Sequence, residues 1–209
     1  MKKIWISCFS LLLLFSLVWG MVGCGPAETE EELLEKAREL TEESAKLNEI
    51  VFGAGILPLE GGYELGAYTE ADPDSLAHYG VESVTDIELY IGSIYTKATA
   101  LWIKNTVLTS TKAESQALTY ARYYDGNKQM GSDSVPVLMV RTNHEPVATG
   151  KVSYQNYRIV EAKRDEVVFL VDMQVTDGEM KRDLPDERIT MRKEKGIWRL
   201  DTTTYADVK

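Results

Sequence analysis

The sequence has few of the residues on which much enzyme chemistry depends. Only two cysteines, Cys8 and Cys24, and two histidines, His78 and His144, occur in its 209 residues. Both cysteines lie within the first 24 residues, so the remainder contains neither a thiol nor a disulfide. This absence excludes a thiol enzyme, a cysteine-ligated zinc protein and a thioredoxin-like protein. The folded part must therefore be held together by its core.

Common catalytic motifs are also missing. None of the patterns H-E-x-x-H, G-x-S-x-G, S-x-x-K or the phosphate-binding P-loop occurs. Both histidines stand in polar, turn-like contexts, which favours a solvated side chain. Asp72 and Asp74 alternate as in a calcium-binding loop, but the downstream glycine and glutamate of that loop are absent, which favours a turn. The sequence predicts no catalytic residue, metal or cofactor.

Positive charge is scarce. The chain has 23 Lys and Arg against 33 Asp and Glu, a formal charge of −10. Without residues 1–23, whose only charges are Lys2 and Lys3, the charge is −12 (−10 minus 2). Such an acidic body is repelled by phosphate backbones and anionic lipid surfaces. We therefore expect neither nucleic-acid binding nor electrostatic membrane binding by the body.

The N-terminus has the layout of an export signal. Lys2 and Lys3 precede the apolar run Ile4–Val22, and the small residue Gly23 stands directly before Cys24. Two alternatives are open. The apolar run is close to the roughly 20 residues of a bilayer span, so it could be an uncleaved membrane helix. The chain could also be secreted after cleavage near Gly23.

The run Met21-Val22-Gly23-Cys24 resembles the lipobox of bacterial lipoproteins, with methionine where leucine is usual. In that family the cysteine is joined to a diacylglycerol and becomes the mature N-terminus. The resemblance implies that residues 1–23 are a removable signal and residues 24–28 a lipidated tether. It also implies that Cys24 anchors the protein at the outer face of the cytoplasmic membrane. Two acyl chains hold a protein stably, whereas one holds it only marginally.

Residues 29–209 predict a single α+β domain, with helices first and an antiparallel sheet after them. Thr29 and Glu32 form a capping box at the start of the first helix. A second helical run is expected from Thr85, with a break at Gly92 or Thr96, and Trp102 is expected in the core. The first helix should present one apolar stripe, since these positions recur at spacings of three and four: Leu33, Ala37, Leu40, Ser44, Leu47 and Val51.

Alternation and turn residues predict the strands. Asp125-Gly126 and Arg164-Asp165 are expected to be hairpin turns, Asp177-Gly178 is expected to open a longer loop, and Gly196 should turn the chain into the last strand. In chain order the predicted strands are Ala117–Tyr124, Pro136–Thr142, Val152–Lys163, Val167–Val175, Arg188–Arg192 and Trp198–Thr202.

Two runs resemble a known group of proteins. SVTDIELYIGSIYTKATALWIKN, residues 83–105, is similar to a segment of Firmicutes lipoproteins with NTF2-like or cystatin-like domains, and GIWRLDTTTY, residues 196–205, resembles their last strand. A similar layout occurs in inhibitors of cell-wall DL-endopeptidases of the IseA type, although Gly131-Ser132-Asp133-Ser134 stands here where that group tends to have Asp-Gly-Gly. The resemblance implies N-terminal helices packed on a curved antiparallel sheet. Such folds host enzymes, ligand pockets and interaction modules alike.

Tyrosine supplies the first candidate binding residues. All eleven tyrosines follow Cys24. A tyrosine packs an apolar ring and keeps a polar tip wet, which suits an interface and equally suits the rim of a curved sheet. The clusters that could form a binding surface are Tyr120, Tyr123, Tyr124, Tyr154 and Tyr157.

Asp172 is the remaining candidate, because it interrupts an apolar strand. It is expected either to form a surface ion pair with Arg188 or Arg192, or to lie in a pocket between the sheet and the helices. The interpretation is a lipid-anchored, extracytoplasmic, non-enzymatic domain that binds an envelope protein or cell-wall component. The alternatives are a proteinaceous inhibitor of cell-wall hydrolases, which needs no catalytic residues, and a small enzyme that uses a carboxylate in the pocket of the fold.

Overall fold

The computed structural model describes residues 25–108, 121–144, 146 and 150–204. The fold class is α+β, with helices and antiparallel sheets. None of the helices in these ranges is long and apolar enough to cross a membrane. The helices are α1 (Glu30–Val51), α2 (Pro73–Tyr79), α3 (Val84–Ile94) and α4 (Lys97–Val107). The strands are β1 (Glu64–Leu65), β2 (Tyr68–Glu70), β3 (Tyr123–Met130), β4 (Asp133–Arg141), β5 (Lys151–Lys163), β6 (Glu166–Asp177), β7 (Met180–Glu194) and β8 (Ile197–Leu200).

The first helix begins where the sequence predicts. The Thr29 hydroxyl accepts a hydrogen bond from the Glu32 backbone N–H at 3.3 Å, and the Thr29 N–H donates to the Glu32 carboxylate at 2.8 Å. These two bonds form the capping box. Every residue of the predicted apolar stripe is buried, and α1 packs across β5 and β8.

The start of the second helical run differs from the prediction. The cap is Ser83 rather than Thr85: its hydroxyl accepts from the Asp86 backbone N–H at 3.1 Å, and its backbone is extended. Both threonine and serine stand three residues before an acidic residue, so the pattern alone cannot choose between them. Glu88, the expected partner of Thr85, instead forms an ion pair with Lys104 of α4 at 2.5 Å.

The break between α3 and α4 falls at Tyr95 and Thr96, not at Gly92. The Thr96 backbone N–H donates to the carbonyl of Leu200 in β8 at 2.9 Å, so the joint is fixed against the last strand. The prediction that Trp102 anchors the core is wrong, since 45 % of this side chain is exposed.

One sheet has the strand order β1-β2-β4-β3, with antiparallel pairs. The predicted turn at Asp125-Gly126 is wrong, because both residues lie within β3 and the chain turns at Gly131-Ser132. Gly131 has a φ of 66°, the left-handed conformation that glycine adopts freely. Gly126 serves close packing instead: a Cβ there would lie 2.7 Å from Cγ of Met139. The Asp125 carboxylate accepts from the Val84 backbone N–H at 2.8 Å.

The stretch between α1 and α3 contains β1, β2 and α2. The Asp72 carboxylate accepts from the Asp74 backbone N–H at 3.0 Å and thereby caps α2, and Pro73 occupies the first helical turn. The alternating aspartates therefore begin a helix rather than form a free turn.

The other sheet is an antiparallel meander of β5, β6, β7 and β8 in chain order, and one sheet of the fold is strongly curled. Its turns at Arg164-Asp165 and Lys195-Gly196 fall where the sequence predicts. The longer loop predicted after Asp177-Gly178 is wrong, because Asp177 pairs with Met180 across a tight turn. β7 therefore spans 15 residues. Its first half is polar and exposed, so it lacked the apolar alternation on which the strand prediction relied.

β5 is an outer strand of this sheet. Its pairing with β6 shifts register twice, between Gln155 and Arg158 and between Ile159 and Glu161. Asn156 lies within the first shift and has a φ of 57°. These irregularities interrupt the edge that β5 presents.

Candidate functional site

The tyrosines predicted as a binding surface do not form one surface. Tyr120 and Cys24, the predicted lipidation site, lie outside the described residues. Tyr123 is 1 % exposed. Its hydroxyl donates to the Ile50 carbonyl at 2.7 Å and accepts from the Ile56 backbone N–H at 3.2 Å. This tyrosine therefore fixes the end of α1 and the loop that follows it.

Two other tyrosines pack beneath α1. The ring of Tyr157 stacks on Phe169 with centroids 6.0 Å apart, and its hydroxyl lies 2.6 Å from the Thr41 hydroxyl. The Tyr154 hydroxyl donates to the carbonyl of Thr204 at 2.9 Å. Burial raises the pKa of Tyr157 to about 12. The Tyr157 phenol therefore joins β5 to α1, and the Tyr154 phenol joins β5 to the segment that follows β8.

Tyr124 belongs to the other sheet and is half-buried. Its ring meets that of Tyr68 edge to face, with centroids 4.8 Å apart. Tyr124 therefore lies in a different sheet from Tyr154 and Tyr157.

Asp172 lies on the outer face of β6, because it alternates with the buried residues of that strand. It is therefore not in a pocket between sheet and helices. Asn156 Nδ2 donates to its carboxylate at 2.8 Å and the Asp186 backbone N–H donates at 3.0 Å. These hydrogen bonds, that of Asn156 first, lower the pKa of Asp172. The expected ion pairs do not form, since Arg188 and Arg192 pair with other carboxylates.

An open groove of about 880 Å³ runs between α2, the start of α3 and the β3–β4 hairpin. No lysine or arginine is found among the described residues that line it. We call it the acidic groove, because its rim carries the carboxylates of Glu70, Glu82, Asp86 and Asp125. Its apolar lining is formed by Ala71, Pro73, Leu76, Ala77, Val81, Pro136, Val137 and Leu138.

The rim carboxylates are held in place by the fold. The Ser83 hydroxyl donates to Asp86 at 2.7 Å, and this hydrogen bond is the main cause of the lowered pKa of Asp86. Lys128 Nζ donates to Glu70 at 2.7 Å and lowers the pKa of that carboxyl. Both groups are therefore ionised at neutral pH. Asp125 is oriented by the backbone hydrogen bond described above, and Glu82 is exposed on the rim.

A second groove, of about 670 Å³, has the opposite charge. It lies between α3, α4 and the β7–β8 turn, and we call it the basic groove. The Lys104–Glu88 ion pair crosses it, and Arg199 Nε donates to the Gly92 carbonyl at 2.9 Å. The two grooves thus differ in the sign of their charge. The charged residues that line the groove are Lys97, Lys104, Lys195, Arg199, Glu88 and Glu194.

A buried arginine was not predicted from the sequence. Arg122 is 3 % exposed, and Nη2 donates to the carbonyls of Gly53 at 2.7 Å and Ala54 at 2.5 Å. Its guanidinium lies 5.2 Å from the centre of the Tyr123 ring, and Nε and Nη1 have no partner among the described residues. Burial lowers its pKa. Nothing local distinguishes this arginine, whose role is to hold the loop after α1.

The histidines differ from each other. His78 is exposed, as predicted. His144 is half-buried and its Nε2 is buried, so the prediction of a solvated side chain is wrong for this residue. Burial, and then the charges of Arg122 and Arg141, lower the pKa of His144 to about 4. Within the described ranges, no three His, Cys, Asp or Glu side chains are grouped so that they could hold a metal ion.

Comparison with known proteins gives no family for this chain. No protein-family model, no curated protein and no solved structure matches it. The molecule is an α+β protein whose candidate functional sites are the acidic and basic grooves.

Proposed function

We propose that this chain is a lipid-anchored, extracytoplasmic binding protein of the bacterial envelope, without enzymatic activity of its own. Its anchor would be Cys24, and its partner site the acidic groove. The observation that carries the proposal is the combination of an open apolar lining with an ionised, preoriented rim. We also propose an NTF2-like or cystatin-like fold, supported by the long helix α1 across an antiparallel meander.

The groove suggests the chemistry of the partner. An apolar surface gains free energy when a partner removes it from water, at roughly 25 cal/mol per Å². Carboxylates on the rim favour lysine and arginine and speed association at low salt. The occupant that fits best is a peptide segment with basic and apolar side chains on an envelope protein.

The ionisation of the rim favours binding over catalysis. A general acid must hold a proton near neutral pH, which requires a raised pKa. The pKa values of Asp86 and Glu70 are both lowered, by the hydrogen bonds from Ser83 and Lys128. These carboxylates suit an electrostatic role, and the proposal of a small enzyme has less support.

A peptide-binding assay tests the proposal. The double variant Glu82→Gln, Asp125→Asn removes two rim charges and keeps the acceptor that Asp125 offers to α3. Exposed ion pairs contribute about 0.2–1 kcal/mol each. We therefore expect the Kd for a labelled basic-apolar peptide, measured by fluorescence anisotropy, to rise roughly 2- to 30-fold.

The matched control is Glu31→Gln with Glu179→Gln, two exposed carboxylates outside the groove. It removes the same charge and should leave the Kd within about twofold, because distant surface charges are screened. An equal rise in both variants, or tighter binding of an acidic peptide, would contradict the proposed site.

The alternative of a hydrolase inhibitor uses the same groove and has a separate test. Purified protein is added to isolated cell walls that extracted wall hydrolases are digesting, with a walls-only control. Slower clearing in the presence of the wild type, together with uninhibited clearing in the presence of the Glu82→Gln, Asp125→Asn variant, would assign the inhibitory function. Unchanged clearing would rule it out for the hydrolases in the extract.

A further inference from the structure

The segment that follows Cys24 is fixed to the sheet by three side chains, which we call the tether clasp. Glu28 Oε1 accepts from Lys193 Nζ at 2.5 Å and from Trp198 Nε1 at 3.0 Å. The Lys193 ammonium lies 5.3 Å from the centre of the Trp198 ring. The chain is therefore joined to the β7–β8 hairpin before α1 begins.

The clasp marks one end of the body. Trp198, at the start of β8, lies beside Glu28, whereas Thr204, beyond the end of β8, contacts Ser44 of α1 at 2.6 Å between hydroxyls. The helix rises about 20 Å over the residues from its start to Ser44. β8 therefore runs beside α1 and away from the tether. The turn that precedes β8 projects toward the tether.

A second turn lies at the same end. The Lys193 backbone N–H donates to the carbonyl of Asp165 at 2.9 Å, and Glu166 pairs with Arg192. The β5–β6 turn at residues 164–165 is thus beside the β7–β8 turn at residues 195–196. The β6–β7 turn lies at the other end of β6, a 12-residue strand whose length is up to about 40 Å.

The tether is too short to let the body move far from its anchor. Cys24 and Glu28 are separated by four residue steps, which span at most about 14 Å. The clasp residues must therefore lie close to the point at which the lipid is attached. This step rests on the proposed acylation of Cys24.

We propose that the two turns at residues 164–165 and 195–196, together with Ile197 at the start of β8, form a surface that rests against the lipid headgroups of the anchoring membrane. Ile197, the strand residue directly after the β7–β8 turn, is 52 % exposed. The short tether imposes this contact. Electrostatic attraction to the headgroups does not impose it, because the exposed cations Arg164 and Lys195 lie near the carboxylates of Glu30, Glu31 and Glu32 in the first turn of α1.

This orientation places the acidic groove away from the membrane. The Tyr79 hydroxyl at the end of α2 donates to Glu49 near the end of α1 at 3.4 Å, so the groove lies at the far end of that helix. The 22 residues of α1 span about 33 Å. The helix would thus hold the groove about that distance from the headgroups, within reach of other envelope proteins.

Cysteine labelling tests the orientation. After removal of residues 1–23 and acylation of Cys24, a single introduced cysteine is the only free thiol. Full-length Ile197→Cys and Met180→Cys are purified from membranes, labelled with a fluorophore and placed in phosphatidylethanolamine–phosphatidylglycerol vesicles with nitroxide-headgroup lipid. Both positions are exposed. Because they lie at opposite ends of long strands, we expect the quenched fraction at 197 to exceed that at 180 by roughly threefold or more.

Arg164→Cys provides a second probe at the membrane end and should be quenched as Ile197→Cys is. The mass of the N-terminal peptide is measured on the same preparations. Acylated protein with equal quenching at all positions, or stronger quenching at 180, would overturn the orientation and leave the lipoprotein proposal intact. Unmodified Cys24 would overturn both.

Discussion

Substituting Thr204 by valine should reveal how the last part of the chain is held on α1. Thr204 is 2 % exposed. Its hydroxyl lies 2.6 Å from the Ser44 hydroxyl, 3.0 Å from the Tyr95 hydroxyl and 3.2 Å from Asn48 Nδ2. Valine keeps the shape of the side chain and removes the hydroxyl on which these three groups converge.

The cost follows from what the partners retain. A hydrogen bond contributes about 0.5–1.5 kcal/mol net, and a buried polar group without a partner costs about 1–3 kcal/mol. In the variant, the Ser44 hydroxyl keeps its hydrogen bond to the Thr41 carbonyl at 2.7 Å, and the Tyr95 hydroxyl keeps its hydrogen bond to Asn48 Oδ1 at 3.4 Å. We therefore expect Thr204→Val to lower the free energy of unfolding by about 2–4 kcal/mol, which corresponds to roughly 5–15 °C in Tm.

Urea unfolding of residues 25–209, followed by circular dichroism, measures this free energy. The control is Thr203→Val, one residue earlier, where the side chain is half-exposed and makes no hydrogen bond among the described residues. The control should change the free energy by less than about 0.5 kcal/mol. Losses below about 1 kcal/mol for both variants would refute the reasoning, because they would mean that the converging hydrogen bonds contribute no net stability.

Two further predictions concern the ends of α1. Gly55→Ala should lower the free energy of unfolding by about 3 kcal/mol or more in the same urea assay, because Gly55 has a φ of 70° and a Cβ would lie 2.2 Å from the buried Arg122 guanidinium. The control is Gly61→Ala, because Gly61 has a φ of 68° and open space around it; its free energy of unfolding should fall by only about 1 kcal/mol. Equal decreases for the two variants would contradict a steric conflict between a Cβ at position 55 and Arg122. Glu28→Ala should destabilise the protein at pH 7 more than Glu31→Ala does, because the hydrogen bond from lysine lowers the pKa of Glu28 in the folded state. The stabilisation from ionised Glu28 is fully present above the ordinary pKa of 4.5 and is lost as the pH falls through the lowered pKa. If the difference in unfolding free energy between Glu28→Ala and Glu31→Ala persisted below that pH, it would argue against the clasp.

Local signals sufficed for the first helix, α1. The capping box at Thr29 and the spacing of the buried stripe describe α1 because both depend on residues within one turn of each other. The turn prediction at Asp125-Gly126 was wrong for the opposite reason. That dipeptide suits a hairpin, but here its aspartate accepts a hydrogen bond from the first backbone N–H of α3, and its glycine leaves room for the Met139 side chain of the neighbouring strand. Neither contact can be predicted from the neighbouring residues, because both join parts of the chain that are distant in sequence.

The candidate site shows the same limit. Whether a tyrosine faces solvent depends on whether its hydroxyl meets a buried partner, and the partner of Tyr157 is Thr41, 116 residues earlier. The acidic groove combines residues from Glu70 to Leu138 on five separate elements, β2, α2, α3, β3 and β4. Its carboxylates were indistinguishable in the sequence from the many others of an acidic chain. Only the fold shows that these lie together around an apolar lining.

The irregular edge strand β5 has a consequence for the proposal that the protein is anchored at a membrane surface. Anchored copies would share two dimensions and meet far more often than molecules in solution, and an exposed edge of 13 residues would invite one copy to add its strand to the next. The two register shifts break the regular row of donors and acceptors such pairing needs. Charged Arg158, Glu161 and Lys163 lie on the same strand and form ion pairs. Crowding on the membrane should thus leave the copies as separate molecules rather than as a growing sheet.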